Sequence, residues 1–161
     1  MCIRDRHKVL FVCTGNICRS PTAEGVARHL ARQLGVEGRF EFDSAGTHGY
    51  HVGDPPDPRT VAAARKRGYD LALLRARRVT EFDFVRFHHV LAMGHDHLHW
   101  LRRACPTEHR DKLRLFLDFS QRFDAVEVPD PYYGGPDGFE QVLDMVEDAA
   151  SHLIAQLTAK T

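Results

Sequence analysis

Four consecutive apolar residues, Val9-Leu10-Phe11-Val12, run directly into Cys13-Thr14-Gly15-Asn16-Ile17-Cys18-Arg19 and then into Ser20-Pro21. A short run with no polar alternation suits a strand buried on both faces, as in a parallel sheet covered by helices. The polar, glycine-containing segment that follows reads as a loop. Ser20-Pro21 reads as a helix start, with serine at the cap and proline at the first helical position. Strand, loop and helix in that order point to the α/β class, with ligands expected beyond the carboxyl end of the strand.

The remaining chain keeps this alternation. Glu24 falls early in the helix, where a carboxylate complements the dipole. Val26, Ala27 and Leu30 carry its apolar stripe to about Leu34, and Gly35 stops it. Residues 39–44 alternate polar and apolar as a second strand, and residues 45–58 form a loop rich in Gly, Pro and Asp. A helix over 59–66 ends at Gly68, Thr80 begins a short helical turn, and Val90-Leu91-Ala92 is a third buried strand. A helix over 95–103 turns Leu98 and Leu101 inward, and residues 113–116 form a fourth strand. After a long loop holding Asp130-Pro131-Tyr132-Tyr133-Gly134-Gly135, Phe139, Val142, Leu143, Val146, Leu153 and Ile154 recur at helical spacing over 136–157. The expected architecture is an α/β three-layer sandwich, a central four-stranded parallel sheet with helices on both faces.

Composition limits the function. The 161 residues suit one domain, taken as 7–161, with no repeat, low-complexity tract or linker. Residues 1–6 show no hydrophobic periodicity and are expected to be a non-native or disordered extension. Basic and acidic residues balance at 22 each, which argues against a nucleic-acid binder. The apolar run at 9–12 is too short for a membrane span or a signal-peptide core, so no membrane partner is expected and the cytoplasm is the expected location. There, Cys2, Cys13, Cys18 and Cys105 read as catalytic or redox-active thiols rather than a disulfide framework.

The segment from Cys13 to Ser20 has the makings of an anion site. A loop wrapped at a helix N-terminus aims backbone N–H groups at one point. Gly15 permits a backbone that a side chain would resist, and Arg19 offers a planar fork for two phosphate oxygens. A thiolate centred there could attack phosphorus and form a phosphocysteine, with the same donors stabilising the transferring phosphoryl group. A structural loop around a buried cysteine would use the same residue types. The strand before, the glycine within and the Ser-Pro after favour the anion site.

These residues resemble the low-molecular-weight protein tyrosine phosphatases over nearly the whole chain. The phosphate loop of that family matches Val12 through Pro21 with Ala23-Glu24, a second motif matches Asp43-Ser44-Ala45-Gly46-Thr47, and a third matches Asp130 through Gly135 with Gly138-Phe139-Glu140. The resemblance implies a phosphotyrosine hydrolase without a metal or other cofactor, acting on tyrosine-phosphorylated proteins and releasing inorganic phosphate. It implies Cys13 as nucleophile, Arg19 with Thr14, Gly15, Asn16, Ile17, Cys18 and Ser20 around the phosphate, and Ser20 as hydrogen-bond partner of the sulfur. Asn16 would brace the loop, and Asp130 would be the general acid and base. Tyr50, Tyr132 and Tyr133 would wall an aromatic slot, and Cys18 could pair reversibly with Cys13 under peroxide. An Asp held by a following Pro on a long loop also suits acid–base work on its own terms.

Three places depart from the family pattern: Leu74 where a His is common, and His88 and Gly94 where Asp is frequent. Rival readings are an arsenate reductase, which needs further downstream cysteines where only Cys105 follows, and a protein arginine phosphatase, which tends to carry Thr in place of Ile17. A non-catalytic phosphate-binding module is the third. His88, His89, His95, His97 and His99 read as solvent-facing rather than metal-binding, and the basic stretch from Arg65 to Arg78 as a solvated face.

Overall fold

The structure is a computed structural model describing residues 6–131 and 136–159. The chain runs β1 (His7–Cys13), α1 (Arg19–Gln33), β2 (Phe40–Gly46), α2 (Pro58–Lys66), α3 (Glu81–Arg86), β3 (His89–Ala92), α4 (His95–Ala104), β4 (Leu113–Leu115) and α5 (Pro136–Ala159). Short 3-10 turns occupy Glu37–Arg39, Thr107–Lys112 and Phe116–Phe119. The four strands are parallel in the order β2-β1-β3-β4.

The pleat of β1 explains the layers. Successive side chains of a strand point to opposite faces. Val9, Phe11 and Cys13 therefore join one core with Ala23, Val26, Ala27 and Ala31 of α1 and Val142, Val146 and Leu153 of α5. Leu10 and Val12 join the other, with Phe84 of α3 and Leu98 and Leu101 of α4. The small residues of α1 leave little between helix and sheet. No helix among the described residues is long and apolar enough to cross a membrane.

The sheet order positions the site. From β1 the chain crosses through α1 to β2 on one side, while β3 pairs with β1 on the other. Connections diverging from one strand leave a crevice beyond its carboxyl end. Cys13 is the last residue of β1, so it stands at the floor of that crevice.

Several local expectations need adjustment. Strand β2 extends through Ala45 and Gly46, and Phe116 begins a 3-10 turn instead of ending β4. Helix α1 starts at Arg19, one residue before the expected cap. The basic stretch is not a uniformly solvated face. Arg67 pairs with Glu140, Asp144 and Glu147 of α5, and Arg77 pairs with Asp43 and Asp83. Arg6, expected in the extension, donates from its guanidinium to the Phe40 carbonyl at 3.0 Å.

Phe11 is wholly buried and packs against Phe42 and, edge-on, Phe116. Phe11→Ala is expected to cost about 3–5 kcal/mol in urea denaturation. A loss below about 1 kcal/mol would contradict this packing.

Candidate active site

The loop leaving β1 is tied down by its carbonyls. The Cys13 carbonyl accepts from Thr47 N–H at 2.9 Å and Thr14 from His48 N–H at 3.0 Å. The Ile17 carbonyl accepts from Asp57 N–H at 2.9 Å, and that of Cys18 from Thr22 N–H and the Thr22 hydroxyl. Among the described residues, the backbone N–H groups of Thr14 to Cys18 have no acceptor. A loop whose carbonyls are drawn outward and whose amides remain open is suited to an anion.

Two residues, Asn16 and Gly46, make that path possible, and Gly15 is not the one in a left-handed conformation. Asn16 takes the positive φ, 59°, which Asn tolerates better than most residues. Gly15 matters through space, since a Cβ there would come within 3.0 Å of the His51 ring. At Gly46 a Cβ would sit 2.6 Å from the Thr14 carbonyl, so β2 can approach the loop only without a side chain there.

Asn16 fixes the direction of the hydrogen bonds beneath the loop. Its Oδ1 accepts from the Arg77 backbone N–H at 3.0 Å, so the other end of the amide must be the NH2 group. That group donates to Ser20 Oγ at 2.8 Å and Ser44 Oγ at 3.0 Å. Ser20 Oγ, accepting from Asn16, lies 3.0 Å from Cys13 Sγ with its own hydrogen available to donate to the sulfur. Ser44 passes its hydrogen to Glu24 Oε1 at 2.7 Å. Ser20 is thus no helix cap: it is wholly buried and turned to the sulfur, and α1 has no side-chain cap.

Glu24 does not lie in the first turn facing the dipole. It is buried under the network and paired with Arg28 at 2.7 Å. Burial raises its pKa to about 7, against the pull of Arg28 and the Ser44 hydrogen bond.

Cys13, Thr14, Gly15, Ile17, Cys18, Arg19, Tyr50, His51 and Asp130 line one cavity of about 210 Å³. Arg19 reaches Asp130 at 3.6 Å and the Val128 carbonyl at 3.4 Å, so the late loop closes over the guanidinium. Asn16 is the one expected phosphate-loop residue besides Ser20 that braces the site from behind rather than lining it. Tyr50 stands exposed at the rim, stacked on His48 at 5.2 Å. Tyr132 and Tyr133 lie outside the described residues. Cys13 and Cys18 are both free thiols, and burial pushes Cys18 up to about 12.

Two residues of the site escaped the sequence reading. His51 lies in the 45–58 loop, where only adjacency to Tyr50 hinted at it. His97 was expected in solvent but is 5% exposed, and its Nε2 lies 2.8 Å from Thr14 Oγ1. It is four residues before Leu101 and therefore on the same helical face, which was the missed signal. Burial and the Arg19 charge lower its pKa to about 4. His95 and His99 are exposed as expected. At the departures, Leu74 packs against the core, His88 accepts from Lys8 N–H, and Gly94 precedes α4 beside Glu127.

A cysteine at the carboxyl end of a parallel strand, in a loop of open amides with an arginine and a carboxylate, defines an α/β protein with a cysteine-centred site suited to an oxyanion. Similarity makes this more specific. The sequence profile described as "Low molecular weight phosphotyrosine protein phosphatase" matches residues 8–161, and the chain belongs to that family. It is 47% identical to a low molecular weight protein-tyrosine-phosphatase of Streptomyces coelicolor, over 92% of each chain. It is 37% identical to a human low molecular weight phosphotyrosine protein phosphatase, covering 83% of this chain and 85% of that one. Its fold matches a crystal structure of a protein tyrosine phosphatase from Entamoeba histolytica with TM-score 0.93 and 40% identity, over 96% of this chain and 98% of that one.

Glu24 offers a signed test. Its ordinary value is 4.5 and its value in the fold is about 7, so the folded state holds the extra proton between them. The stability this contributes is complete below about 4.5 and is lost as pH rises through about 7. Relative to the parent, Glu24→Gln should therefore be more destabilising near pH 5 than near pH 8, by on the order of 2 kcal/mol. Urea titrations at both pH values check this, and the opposite sign contradicts it.

Proposed function

We propose that the protein hydrolyses phosphotyrosine in proteins through a phosphocysteine intermediate, acting as one phosphatase domain over residues 7–161. The observation that carries this reading is the convergence of Cys13, Arg19 and Asp130 on a single cavity. The loop amides and the Arg19 fork take the non-bridging oxygens of the phosphate. The Cys13 thiolate attacks phosphorus in line, the phosphorus–oxygen bond to tyrosine breaks, and Asp130 delivers a proton to the leaving oxygen.

In the second step Asp130 takes a proton from water, whose oxygen attacks phosphorus. The sulfur–phosphorus bond breaks, and the thiolate and inorganic phosphate are regenerated. Ser20 acts in both steps. Its hydroxyl hydrogen, free to turn to the sulfur while its oxygen accepts from Asn16, stabilises the anion that first attacks and later departs.

Phosphotyrosine is favoured by the relatives' activity as named and by Ile17, an apolar branched side chain on the cavity wall. Tyr50 supplies one aromatic wall at the rim, and Tyr132 and Tyr133 are proposed as the others. An electron relay of the arsenate-reductase kind needs a further thiol beyond Cys13 and Cys18, and among the described residues only Cys105 is left to supply it. Cys105 is buried in the core on the opposite face of the sheet from Cys13.

Cys18 lines the same cavity as the nucleophile. Peroxide would convert Cys13 to a sulfenic acid, and the Cys18 thiol would then displace water to leave a disulfide. Such chemistry requires both thiols reduced at rest, which fits the cytoplasm.

Side-by-side kinetics with phosphotyrosine, phosphoarginine and arsenate should give turnover of the first far above the others. Faster turnover of either rival would replace the reading. Cys13→Ser should abolish turnover while retaining phosphate binding, and substantial residual activity would exclude the covalent route. The parent should show a bell-shaped rate profile with a mildly acidic optimum. Asp130→Asn should lose about 10²–10⁴-fold on phosphotyrosine, and much less on aryl phosphates whose leaving groups need no proton. Equal losses on both substrates would remove Asp130 as the acid.

A further inference from the structure

His97 has one hydrogen-bond partner among the described residues, and that partner belongs to the phosphate loop. Its Nε2 is 2.8 Å from Thr14 Oγ1, while its Nδ1 is buried without a partner. Glu127, on the loop beside the start of α4, accepts from the His95 N–H at 2.7 Å. Buried N–H groups without acceptors are rarer than under-used acceptors. The proton of the neutral ring therefore belongs on Nε2, where it has an acceptor, with a bare lone pair at Nδ1.

That assignment settles the Thr14 hydroxyl. With Oγ1 accepting from Nε2–H, the single hydrogen of the hydroxyl points away from His97, and Thr14 lines the cavity. The reverse arrangement would leave only an oxygen lone pair facing an incoming phosphate. We propose that His97 is a positioning residue that acts through Thr14, turning the Thr14 hydroxyl into a further donor for the phosphoryl group. The inference rests on residues 13–20 being the phosphate site.

The arrangement also joins the two faces of the sheet. His97 lies on α4, which packs on the Leu10–Val12 face, whereas α1 continues the loop on the Val9–Phe11 face. Met93 N–H donates to the Val12 carbonyl at 2.9 Å and so fixes the start of this segment beside β1. The segment that carries the imidazole is thus anchored beside the loop.

The test is a double-mutant cycle read by the inhibition constant of inorganic phosphate and by kcat and KM for a phosphotyrosine peptide. Thr14→Val and His97→Leu should each weaken phosphate inhibition about tenfold. The double variant should be no worse than either single one, and His97→Gln, which keeps an N–H donor, should recover most of the loss. Losses that multiply in the double variant, or unchanged phosphate inhibition in His97→Leu, would overturn the proposal. If His97→Leu fails to fold, the imidazole tautomer of the unmodified protein decides the matter by long-range proton–nitrogen NMR. A proton on Nε2 supports the proposal and a proton on Nδ1 overturns it. Phosphate binding by Cys13→Ser separates the two levels: if it is absent, the phosphate site itself is wrong, and if it is present with an uncoupled pair, only the role of His97 fails.

Discussion

The Asn16 side-chain amide is the interaction on which the rest of the site depends. One backbone N–H, that of Arg77, dictates which end of the amide faces outward. Both amide hydrogens are thereby committed to Ser20 and Ser44, and each serine hydroxyl keeps its own hydrogen for a further acceptor. At the far end the Ser20 hydroxyl keeps a hydrogen that it can donate to the Cys13 sulfur. A flipped Asn16 amide would turn its NH2 group against the Arg77 N–H and its oxygen toward the serines, which is why the amide holds one orientation. Positive φ at Asn16 brings its own side chain into this position.

The fold supplies what that amide needs. Arg77 presents its N–H because its guanidinium is held by Asp43 of β2 and by Asp83 at the start of α3. Ser44 comes from β2, Ser20 from α1, and Cys13 from β1. Parallel pairing places Cys13 opposite Gly46, and the missing side chain at Gly46 lets β2 close on the loop. The carbonyls of Cys13, Thr14, Ile17 and Cys18 are taken by this packing, while the loop amides have no acceptor among the described residues. The scaffold acts on the chemistry through hydrogen-bond bookkeeping as much as through shape.

Much of this was legible in residues close together in sequence. The apolar run at 9–12, the glycine-containing loop and the helix after it have local signatures, and the sheet with its two helical layers followed from them. Residues judged by local rules alone were read less well. Ser20 looks like a cap because serine precedes proline, yet its hydroxyl is taken by partners at Asn16 and Cys13. Glu24 looks like a dipole partner, yet the alanine-rich face of α1 packs so near β2 that its carboxylate is buried against Ser44. Arg77 reads as part of a basic surface, but its acidic partners are 34 and 6 residues away. The inward turn of His97 was available from its spacing to Leu101. Its contact with Thr14, 83 residues away, depends on how α4 docks beside β1 and has no local signature.

On the proposed mechanism these contacts present the Cys13 sulfur to phosphorus, and that can be observed directly. Rapid acid quenching of the enzyme during turnover of a phosphotyrosine peptide, followed by peptide mapping with mass spectrometry, should find one phosphoryl group on the segment containing Cys13. The label should be absent in Cys13→Ser. A phosphoryl group on another residue, or full turnover with none trapped at any time point, would contradict the account.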